Sequence, residues 1–287
     1  MEQLAATLEP VRLPLDERPH RAALEWWHFM IHLDNGQSLV VSMLKGDARI
    51  ASGLCGLVIR IDRTRHTHAV TTRLRPFSHA IANEPGFELV AGDVSARGAL
   101  GRYRVTAPGV ALELAQDTVA TLFGDRGVMT YPGGVELGYY AYTQLAVTGV
   151  VDGARVTGTG WFEHQWGDAR VGDYRWRYLA AQLDNGERIA AFAVTRGKDD
   201  ISRWRGRTTY AIRIAPDGTA RELPGASLVE FRLRAHDVDL RAEPLFAAQR
   251  CRTLLPMIPN FWEGACRVTG TVEGRAVSGL AIGEVVS

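Results

Sequence analysis

The feature that most constrains the fold of this 287-residue chain is an internal repeat. At an offset of 150 residues, segment 26–43 aligns without gaps with 176–193, and Trp, Leu, Asp, Asn and Gly coincide. At an offset of 121 residues, 145–163 aligns with 266–284, with eight identities that include a final Glu. Each half of the chain therefore opens with one shared hairpin and closes with another, which predicts two domains of the same architecture.

The local pattern in both halves is typical of β-strands. Apolar residues recur with a period of two, and Asp34-Asn35-Gly36 after the first run predicts a type I′ turn. No helical period of useful length interrupts the pattern, so an antiparallel meander is expected in each half. The predicted strands are 24–33, 38–44, 53–61, 69–74, 87–91, 102–106, 110–114, 135–147 and 155–163, then 174–183, 188–194, 208–214, 227–235, 261–270 and 276–284.

Tandem meanders of this length are best closed as barrels, because closure removes exposed sheet edges. The sequence therefore predicts an all-β protein with one antiparallel barrel at 1–168 and a second at 169–287. The Pro-rich and charged segment 1–23 is expected to be an arm over the first barrel. The Pro-rich stretch 254–260 is expected to be a loop at a barrel mouth.

Composition excludes several classes of protein. A net charge of +1 is not typical of a dedicated nucleic-acid-binding surface, which shows a clustered basic excess. No signal peptide is evident, and no apolar run approaches the ~20 residues that span a bilayer. The cysteines Cys55, Cys251 and Cys266 are odd in number and widely spaced, which favours reduced thiols. The cytoplasm is the expected compartment, and the oligomeric state is left open.

The densest cluster of polar and aromatic residues is the stretch 158–168, which reads G-T-G-W-F-E-H-Q-W-G-D. In a strand, alternate side chains share a face. Trp161, Glu163 and Gln165 would therefore point one way, and Phe162, His164 and Trp166 the other. A Glu and a Gln on an inner face must be hydrogen-bonded if they are buried. The pattern is compatible with a buried polar network and with contacts to a ligand.

Two other strands carry aromatic residues on both faces. In the opening strand Trp26 and His28 point to one face and Trp27 to the other. This arrangement is compatible with packing at the interface between the two domains and with the lining of a ligand pocket. The run Tyr139-Tyr140-Ala141-Tyr142 presents phenols to both faces, where they can pack or donate a hydrogen bond to a ligand.

No metal or cofactor is predicted. His28 and His32 lie four strand residues apart, about 13 Å at ~3.3 Å per residue, which is too far to share an ion with bonds of about 2 Å. His66 and His68 share a face, but three arginines flank them in a polar hairpin tip. The sequence contains no G-x-G-x-x-G, no phosphate-binding loop and no G-x-S-x-G motif.

Two of these motifs resemble a known family. Glu25-Trp26-Trp27-His28-Phe29 is similar to the E-W-W-Y signature of the AttH-like and carotenoid-hydratase-related family, and 161–167 is similar to its W-M-D-H-E-W-G signature. The resemblance implies tandem lipocalin-like (calycin) domains, with relatives that include carotenoid 1,2-hydratases and decalin-forming Diels–Alderases. His28, Glu163 and Gln165 depart from the family's usual Tyr, Asp and Glu. The last change removes a carboxylate, which counts against a hydratase.

Three functions remain open. The first is a cofactor-independent cyclase of the Diels–Alderase type, which holds a hydrophobic polyene intermediate of secondary metabolism in a reactive geometry. The second is a hydratase or isomerase of a terpenoid or carotenoid alkene with Glu163 as the acid. The third is a non-catalytic carrier of a hydrophobic small molecule. The predicted catalytic residues are Glu163, His164, Gln165 and His28, and the predicted ligand-binding residues are Trp26, Trp27, Trp161, Trp166, Trp176, Tyr178, Tyr140 and Tyr142.

The one-sided distribution of these residues predicts where a ligand binds. The second closing strand keeps only Glu284 of the first motif, so the additional Trp, His and Gln of the first copy are expected to serve a ligand. That copy is joined directly to the second domain. The predicted pocket therefore lies at the seam between the domains and is lined by Trp26, His28, His164, Trp166, Trp176 and Tyr178.

Overall fold

The computed structural model describes residues 7–8, 17–20, 22–48, 51–77, 86–169, 171–197, 208–253 and 260–286. The chain divides into two compact units. The N-terminal unit comprises Val11–Met129 and Glu136–Arg170, and the C-terminal unit comprises Met1–Pro10, Thr130–Val135 and Val171–Ser287. The predicted loop at 254–260 lies, apart from Asn260, outside the described residues.

The segment before the first hairpin is divided between the units. Strand β1 (Thr7–Leu8) pairs with residues 220–221 of the C-terminal unit. Glu17, in contrast, is buried against Tyr103 of the N-terminal unit. The prediction that the whole arm lies over the first barrel is therefore wrong for β1.

The N-terminal sheet has twelve strands within the described residues, all in antiparallel pairs. Its central strands are the predicted opening and closing strands of the first repeat, and its order is β5-β4-β3-β2-β13-β12-β9-β8-β7-β6, with β10 and β11 on β12. The strands are β2 (Leu24–Leu33), β3 (Gln37–Ala48), β4 (Ala51–Asp62), β5 (Thr67–Pro76), β6 (Phe87–Ala91), β7 (Val94–Ala99), β8 (Arg102–Ala107), β9 (Val110–Ala115), β10 (Thr121–Leu122), β11 (Val128–Tyr131), β12 (Val135–Val151) and β13 (Ala154–Gly167).

The N-terminal sheet curls into a near-closed barrel. Its end strands β5 and β6 approach each other, and Arg75 Nη1 of β5 donates to the Val90 carbonyl of β6 at 2.9 Å. Arg73 binds both oxygens of Asp93, in the β6–β7 turn, at 2.7 and 3.1 Å. The barrel core is made of apolar side chains from nearly every strand, among them Phe29, Ile31, Val41, Leu112 and Phe162.

The C-terminal sheet has eleven strands within the described residues and curls into a half-barrel. Its core contains Leu179, Ala181, Leu233, Leu240 and Val268. After a 3₁₀ turn at Val171–Asp173 the strands are β14 (Tyr174–Leu183), β15 (Arg188–Arg196), β16 (Thr208–Ile214), β17 (Ala220–Glu222), β18 (Ser227–Val229), β19 (Arg232–Ala235), β20 (Val238–Pro244), β21 (Arg250–Cys251), β22 (Phe261–Val272) and β23 (Arg275–Val286).

The repeat is confirmed at the level of strand register. In the N-terminal sheet the closing strand β13 pairs with the opening strand β2, and Glu163 lies opposite His28. In the C-terminal sheet β23 pairs with β14, and Glu284 lies opposite Tyr178. These positions are related by the same offsets, 121 and 150, as the sequence alignment. The predicted all-β, tandem architecture is confirmed as well.

The predicted type I′ turn at Asp34-Asn35-Gly36 is wrong. Both central residues of a type I′ turn need a positive φ, but in Asp34-Asn35-Gly36 only Gly36 has one, at 87°. The Gly36 N–H donates to the Leu33 carbonyl at 3.3 Å, and Gly186 does the same to Leu183 at 3.1 Å. Both hairpins therefore use a three-residue loop that ends in a left-handed glycine, one residue longer than a type I′ turn.

Within the described residues, no helix has both the length and the apolar character needed to cross a membrane.

Candidate functional site

The pairing of β2 with β13 brings the two sequence motifs together. Residues directly opposite each other in an antiparallel pair share a face of the sheet. Trp27 lies opposite His164, and Glu25 lies opposite Trp166. The rings of Trp27 and His164 stack with centroids 4.8 Å apart, and Trp27 belongs to the barrel core. These four side chains therefore occupy the core side of the sheet.

The intervening residues occupy the other face. His28 lies opposite Glu163, and Trp26 lies opposite Gln165. The predicted pocket residues Trp26 and His28 are therefore separated by the sheet from His164 and Trp166, and the structure does not bring these two pairs together.

On the core side, five residues form a hydrogen-bonded group that we term the His164 cluster: His20, Glu25, Lys45, Tyr140 and His164. The Glu25 oxygen Oε1 lies 2.8 Å from His20 Nδ1 and 2.9 Å from His164 Nε2. The other oxygen, Oε2, accepts a hydrogen bond from Lys45 Nζ at 3.2 Å. Glu25, Lys45 and His164 are fully buried, whereas the His20 side chain is 24% exposed.

Aromatic rings hold both imidazoles of the His164 cluster in place. His20 stacks on Trp166, with centroids 4.3 Å apart and planes 4° from parallel. The Tyr140 hydroxyl lies 3.0 Å from Nδ1 of His164. One nitrogen of His164 thus contacts a phenol and the other a carboxylate, which fixes the orientation of the ring.

The charge state of Glu25 follows from its partners. Burial alone would raise the pKa of Glu25, but the hydrogen bonds from His164 and His20, together with the charges of these rings, lower it to about 2. Glu25 is therefore a buried carboxylate at neutral pH, and the Lys45 ammonium pairs with it.

A second buried acid lies beside the His164 cluster. Glu17 accepts hydrogen bonds from the Tyr103 hydroxyl at 2.8 Å and from the Leu100 N–H at 3.1 Å, and it is also hydrogen-bonded to Tyr140. Burial raises the pKa of Glu17 to about 7, although the hydrogen bonds from Tyr103, Leu100 and Tyr140 oppose the shift. Tyr140 therefore connects an acid that titrates near neutrality to His164.

The remaining predicted phenol, Tyr142, packs in the same core. Its ring lies edge-on to Tyr103 at 5.9 Å and contacts Phe162. Burial raises the pKa of Tyr142, so that its hydroxyl stays protonated.

On the opposite face, polar residues from four adjacent strands form a line across the sheet that we term the polar row: Ser42, His28, Glu163 and, next to Glu163, Tyr139. Ser42 lies opposite His28 on the β3 side, and Glu163 lies opposite it on the β13 side. The Tyr139 hydroxyl donates to Glu163 Oε2 at 2.5 Å. Ser42, His28 and Glu163 keep 7%, 8% and 7% of their surface exposed.

Aromatic and amide side chains surround the polar row. Phe123 stacks on Tyr139 at 4.3 Å, and Gln165 Nε2 lies 4.0 Å from the Met129 sulfur. Trp161 shares this face and is fully buried. Its indole N–H has no hydrogen-bond acceptor within the described part of the chain.

The N-terminal unit also has an open groove of about 670 Å³ on strands β6 to β9. Its lining includes Phe87, Arg97, Tyr103, Arg104 and Glu113. None of the site residues predicted from the sequence lines this groove.

With this geometry established, comparison with known proteins identifies the family. The family model described as AttH-like matches residues 56–281. The chain belongs to the AttH-like family. The matched range includes the second motif, 161–167, whereas the first motif, 25–29, lies before it. No curated protein matches the sequence.

Solved structures show how widely this AttH-like fold is shared. An AttH from Nitrosomonas europaea is 20% identical, with a TM-score of 0.76 over 97% of both chains. Kievitone hydratase from Nectria haematococca is 16% identical, with a TM-score of 0.71 over 96% of this chain and 93% of that one. CghA with Sch210972 is 13% identical, with a TM-score of 0.59 over 99% of this chain and 97% of that one. At these identities the similarity shows a common lipocalin-like fold.

Sequence reasoning missed several residues that the AttH-like fold places beside the motifs. Glu25 is part of the first motif, but its role as the common partner of two histidines depends on the pairing of β2 with β13. His20, Lys45 and Glu17 lie outside both motifs. The available signal was the rarity of lysine, since Lys45 is one of only two in the chain. Trp176 and Tyr178 lie in the C-terminal unit, where Trp176 Nε1 donates to Glu284 at 3.0 Å.

Proposed function

We propose that this AttH-like protein is an enzyme that adds water to an alkene of a hydrophobic small molecule, with Glu163 as the proton donor. The observation that carries the proposal is the polar row: a nearly buried Glu163 with Tyr139 on one oxygen and His28 directly opposite. An acid and a base on facing positions of one sheet are the groups that hydration of an alkene requires.

The first step is protonation of the alkene. The Tyr139 hydroxyl donates to Oε2 of Glu163, and in this mechanism Oε1 carries the proton that is transferred. Transfer to one alkene carbon breaks the O–H bond and forms a C–H bond, and the other carbon becomes a carbocation. Nearby aromatic faces, such as those of Trp26 and Tyr139, favour a cation electrostatically.

The second step is capture of the cation by water. Water forms the C–O bond and gives up a proton to the imidazole of His28. Because His28 and Glu163 are cross-strand neighbours, the proton then returns from His28 to Glu163. The sum is addition of one water molecule with the enzyme unchanged. The same groups catalyse dehydration in reverse.

The substitution of Gln165 for a carboxylate counted against a hydratase when the sequence alone was considered. In the proposed mechanism His28 takes the role of the second group, so an acid pair on β13 is not needed. The similarity in fold to kievitone hydratase is consistent with this choice.

One experiment separates the hydratase from its alternatives. Purified protein is incubated in H₂¹⁸O with farnesol, β-farnesene and lycopene, and the products are analysed by mass spectrometry. A hydratase gives a product heavier by one labelled water. A cyclase gives a product of unchanged mass with a new retention time, and a carrier returns the ligand unchanged.

The matched variants are Glu163→Gln and Glu284→Gln, because Glu284 occupies the repeat-equivalent position. We expect Glu163→Gln to lower the hydration rate by a factor on the order of 10²–10⁴ and Glu284→Gln to leave it nearly unchanged. Equal loss in both variants, or full activity in Glu163→Gln, contradicts the assignment of Glu163 as the acid.

A cyclase of the Diels–Alderase type is the second candidate, and Trp161 favours it. Its buried indole N–H has no acceptor within the described residues, and a donor of this kind lowers the barrier to cycloaddition when it binds a conjugated carbonyl. In the same assay Trp161→Phe should reduce a product of unchanged mass while leaving the protein folded.

A further inference from the structure

We propose that His20, Glu25 and His164 form a binding site for one divalent transition-metal ion of the Zn²⁺ type. The site lies on the core side of the sheet, so it is distinct from the polar row and does not depend on the proposed reaction. Among the described residues these three offer ligand atoms that all lie within 4.8 Å of one another.

The distances are close to those of a bound site. Tetrahedral Zn²⁺ with bonds of about 2.0–2.1 Å places its ligand atoms roughly 3.3 Å apart. His20 Nδ1 and His164 Nε2 lie 2.8 and 2.9 Å from Glu25 Oε1. All three ligand atoms lie within 4.8 Å of one another. An ion therefore needs each nitrogen to move about half an ångström away from Oε1 and the two nitrogens to settle roughly 3.3 Å apart.

Each proposed ligand already has a partner that orients it. The Tyr140 hydroxyl contacts the other ring nitrogen of His164 at 3.0 Å. Lys45 binds Glu25 Oε2 and leaves Oε1 directed at the histidines. Trp166 stacks on His20 and fixes the plane of its ring. Second contacts of this kind are what metal-binding histidines and carboxylates normally have.

The protonation states of the two histidines also permit metal binding. A metal-bound imidazole nitrogen must carry no proton. Because the Tyr140 hydroxyl can accept a hydrogen bond as well as donate one, His164 can carry its proton on Nδ1 and present a bare Nε2. His20 can carry its proton on Nε2 and present a bare Nδ1.

The chemistry of the ligands selects the class of ion. Two imidazoles and one carboxylate suit Zn²⁺, Co²⁺ or Ni²⁺, whereas Mg²⁺ and Ca²⁺ require mostly oxygen ligands. Three protein ligands leave one position of a tetrahedral ion for water, and His20, which is 24% exposed, is the ligand with the most contact with solvent. The buried Lys45 ammonium opposes the added charge and sets an upper limit on affinity.

The test uses the full chain stripped of metal by a chelator and then titrated with Zn²⁺ by calorimetry and with Co²⁺ by visible absorption. We expect one equivalent of Zn²⁺ and a tetrahedral Co²⁺ spectrum. The partly exposed His20→Gln should weaken binding about tenfold or more and abolish the spectrum. Lys45→Met should tighten binding, because it removes a nearby positive charge.

The control is the double variant His66→Gln/His68→Gln, which removes the other histidine pair, in an exposed hairpin. It should bind like the wild type. If Zn²⁺ does not bind the wild type, or if the hairpin variant loses the Co²⁺ spectrum while His20→Gln keeps it, the proposal is overturned. The unfolded fraction of each variant is checked by circular dichroism, so that loss of binding is not confused with loss of fold.

Discussion

The two units pair their opening and closing strands in the same register but fill the shared positions with different side chains. In the N-terminal unit Trp27 faces His164, whereas the equivalent residues of the C-terminal unit are Arg177 and Val285. Tyr139, which holds Glu163, corresponds to Phe261. Among the four predicted catalytic residues, Glu163 has an identical counterpart, Glu284, and the opening strands also share a tryptophan, Trp26 or Trp176. The shared strand pairing therefore does not require the His28–Glu163 pair, because Tyr178 and Glu284 stand at these positions in the C-terminal unit.

The largest loss of stability is expected from a substitution at the position where the two units differ most in buried charge. Glu25→Gln leaves the buried Lys45 ammonium without its carboxylate, which should destabilise the chelator-treated protein by roughly 3–5 kcal/mol. The equivalent residue, Arg175, donates to the backbone carbonyls of Gly172 and Tyr174, so Arg175→Gln should cost about 1 kcal/mol or less. Urea unfolding followed by tryptophan fluorescence measures both. Similar losses in the two variants would remove the distinction between the units.

The next largest effect is a pH dependence of the free energy of unfolding, which Glu17 confers on the N-terminal unit. Its folded pKa of about 7 lies above the ordinary value of 4.5. Its contribution to stability is therefore complete below pH 4.5 and is lost as the pH rises through about 7.

Glu17→Gln keeps the neutral shape and removes the titration. From pH 4.5 to 7.5, the wild type should lose roughly 3 kcal/mol relative to this variant. The neighbouring phenols of Tyr103, Tyr140 and Tyr142 do not titrate in this range, because burial raises their pKa values. Parallel pH profiles for the two proteins would contradict the assignment.

A smaller loss of stability is expected from a substitution that makes the N-terminal unit resemble the C-terminal unit. Tyr139→Phe gives the N-terminal unit the residue that the C-terminal unit has at Phe261, and it removes the hydrogen bond to Glu163. We expect a loss of roughly 2 kcal/mol in stability and a lower hydration rate. A double-mutant cycle with Glu163→Gln should show coupling between the two residues. Strict additivity would mean that the hydrogen bond contributes nothing.

The smallest effect should be equal in the two units, because it concerns the hairpin they share. Gly36 and Gly186 have φ values of 87° and 86°, which an L-residue adopts at a cost of roughly 1 kcal/mol. Gly36→Ala and Gly186→Ala should each cost about this much, once the Thr64 hydroxyl, 2.8 Å from a Cβ at position 36, rotates away. The double variant should cost the sum. A large inequality in thermal or urea unfolding would show that the two hairpins are not equivalent.

Much of the fold was accessible from the sequence because strand alternation and turn residues are local signals. The strands Leu24–Leu33 and Tyr174–Leu183 match their predicted bounds. Val94–Ala99 and Val238–Pro244 were missed. Val94–Ala99 is rich in small residues. Val238–Pro244 follows two short strands, β18 and β19, which the sequence pattern merges into one predicted strand at 227–235.

The site was accessible only in part. The motifs drew attention to Glu163, His164 and Trp27, but the face each side chain occupies depends on which strand pairs with which and in what register. The partnership of His164 with Glu25 joins residues 139 positions apart. Lys45 meets Glu25 only when β3 pairs with β2. His20 lies five residues before Glu25, but it carries no motif that marks this contact.

The way the N-terminal barrel closes has a mechanical consequence. Strands β5 and β6 share no backbone ladder in the described residues and are joined by arginine side chains, such as Arg75 on the Val90 carbonyl. Amide protons along these two edges should therefore exchange faster than those of β2 and β13, which are paired on both sides. Salt should speed that exchange further by screening Arg73 from Asp93. The edge strands β5 and β6 are thus a different part of the barrel from the strands that carry the polar row. The barrel can therefore open between β5 and β6 while His28 stays paired with Glu163.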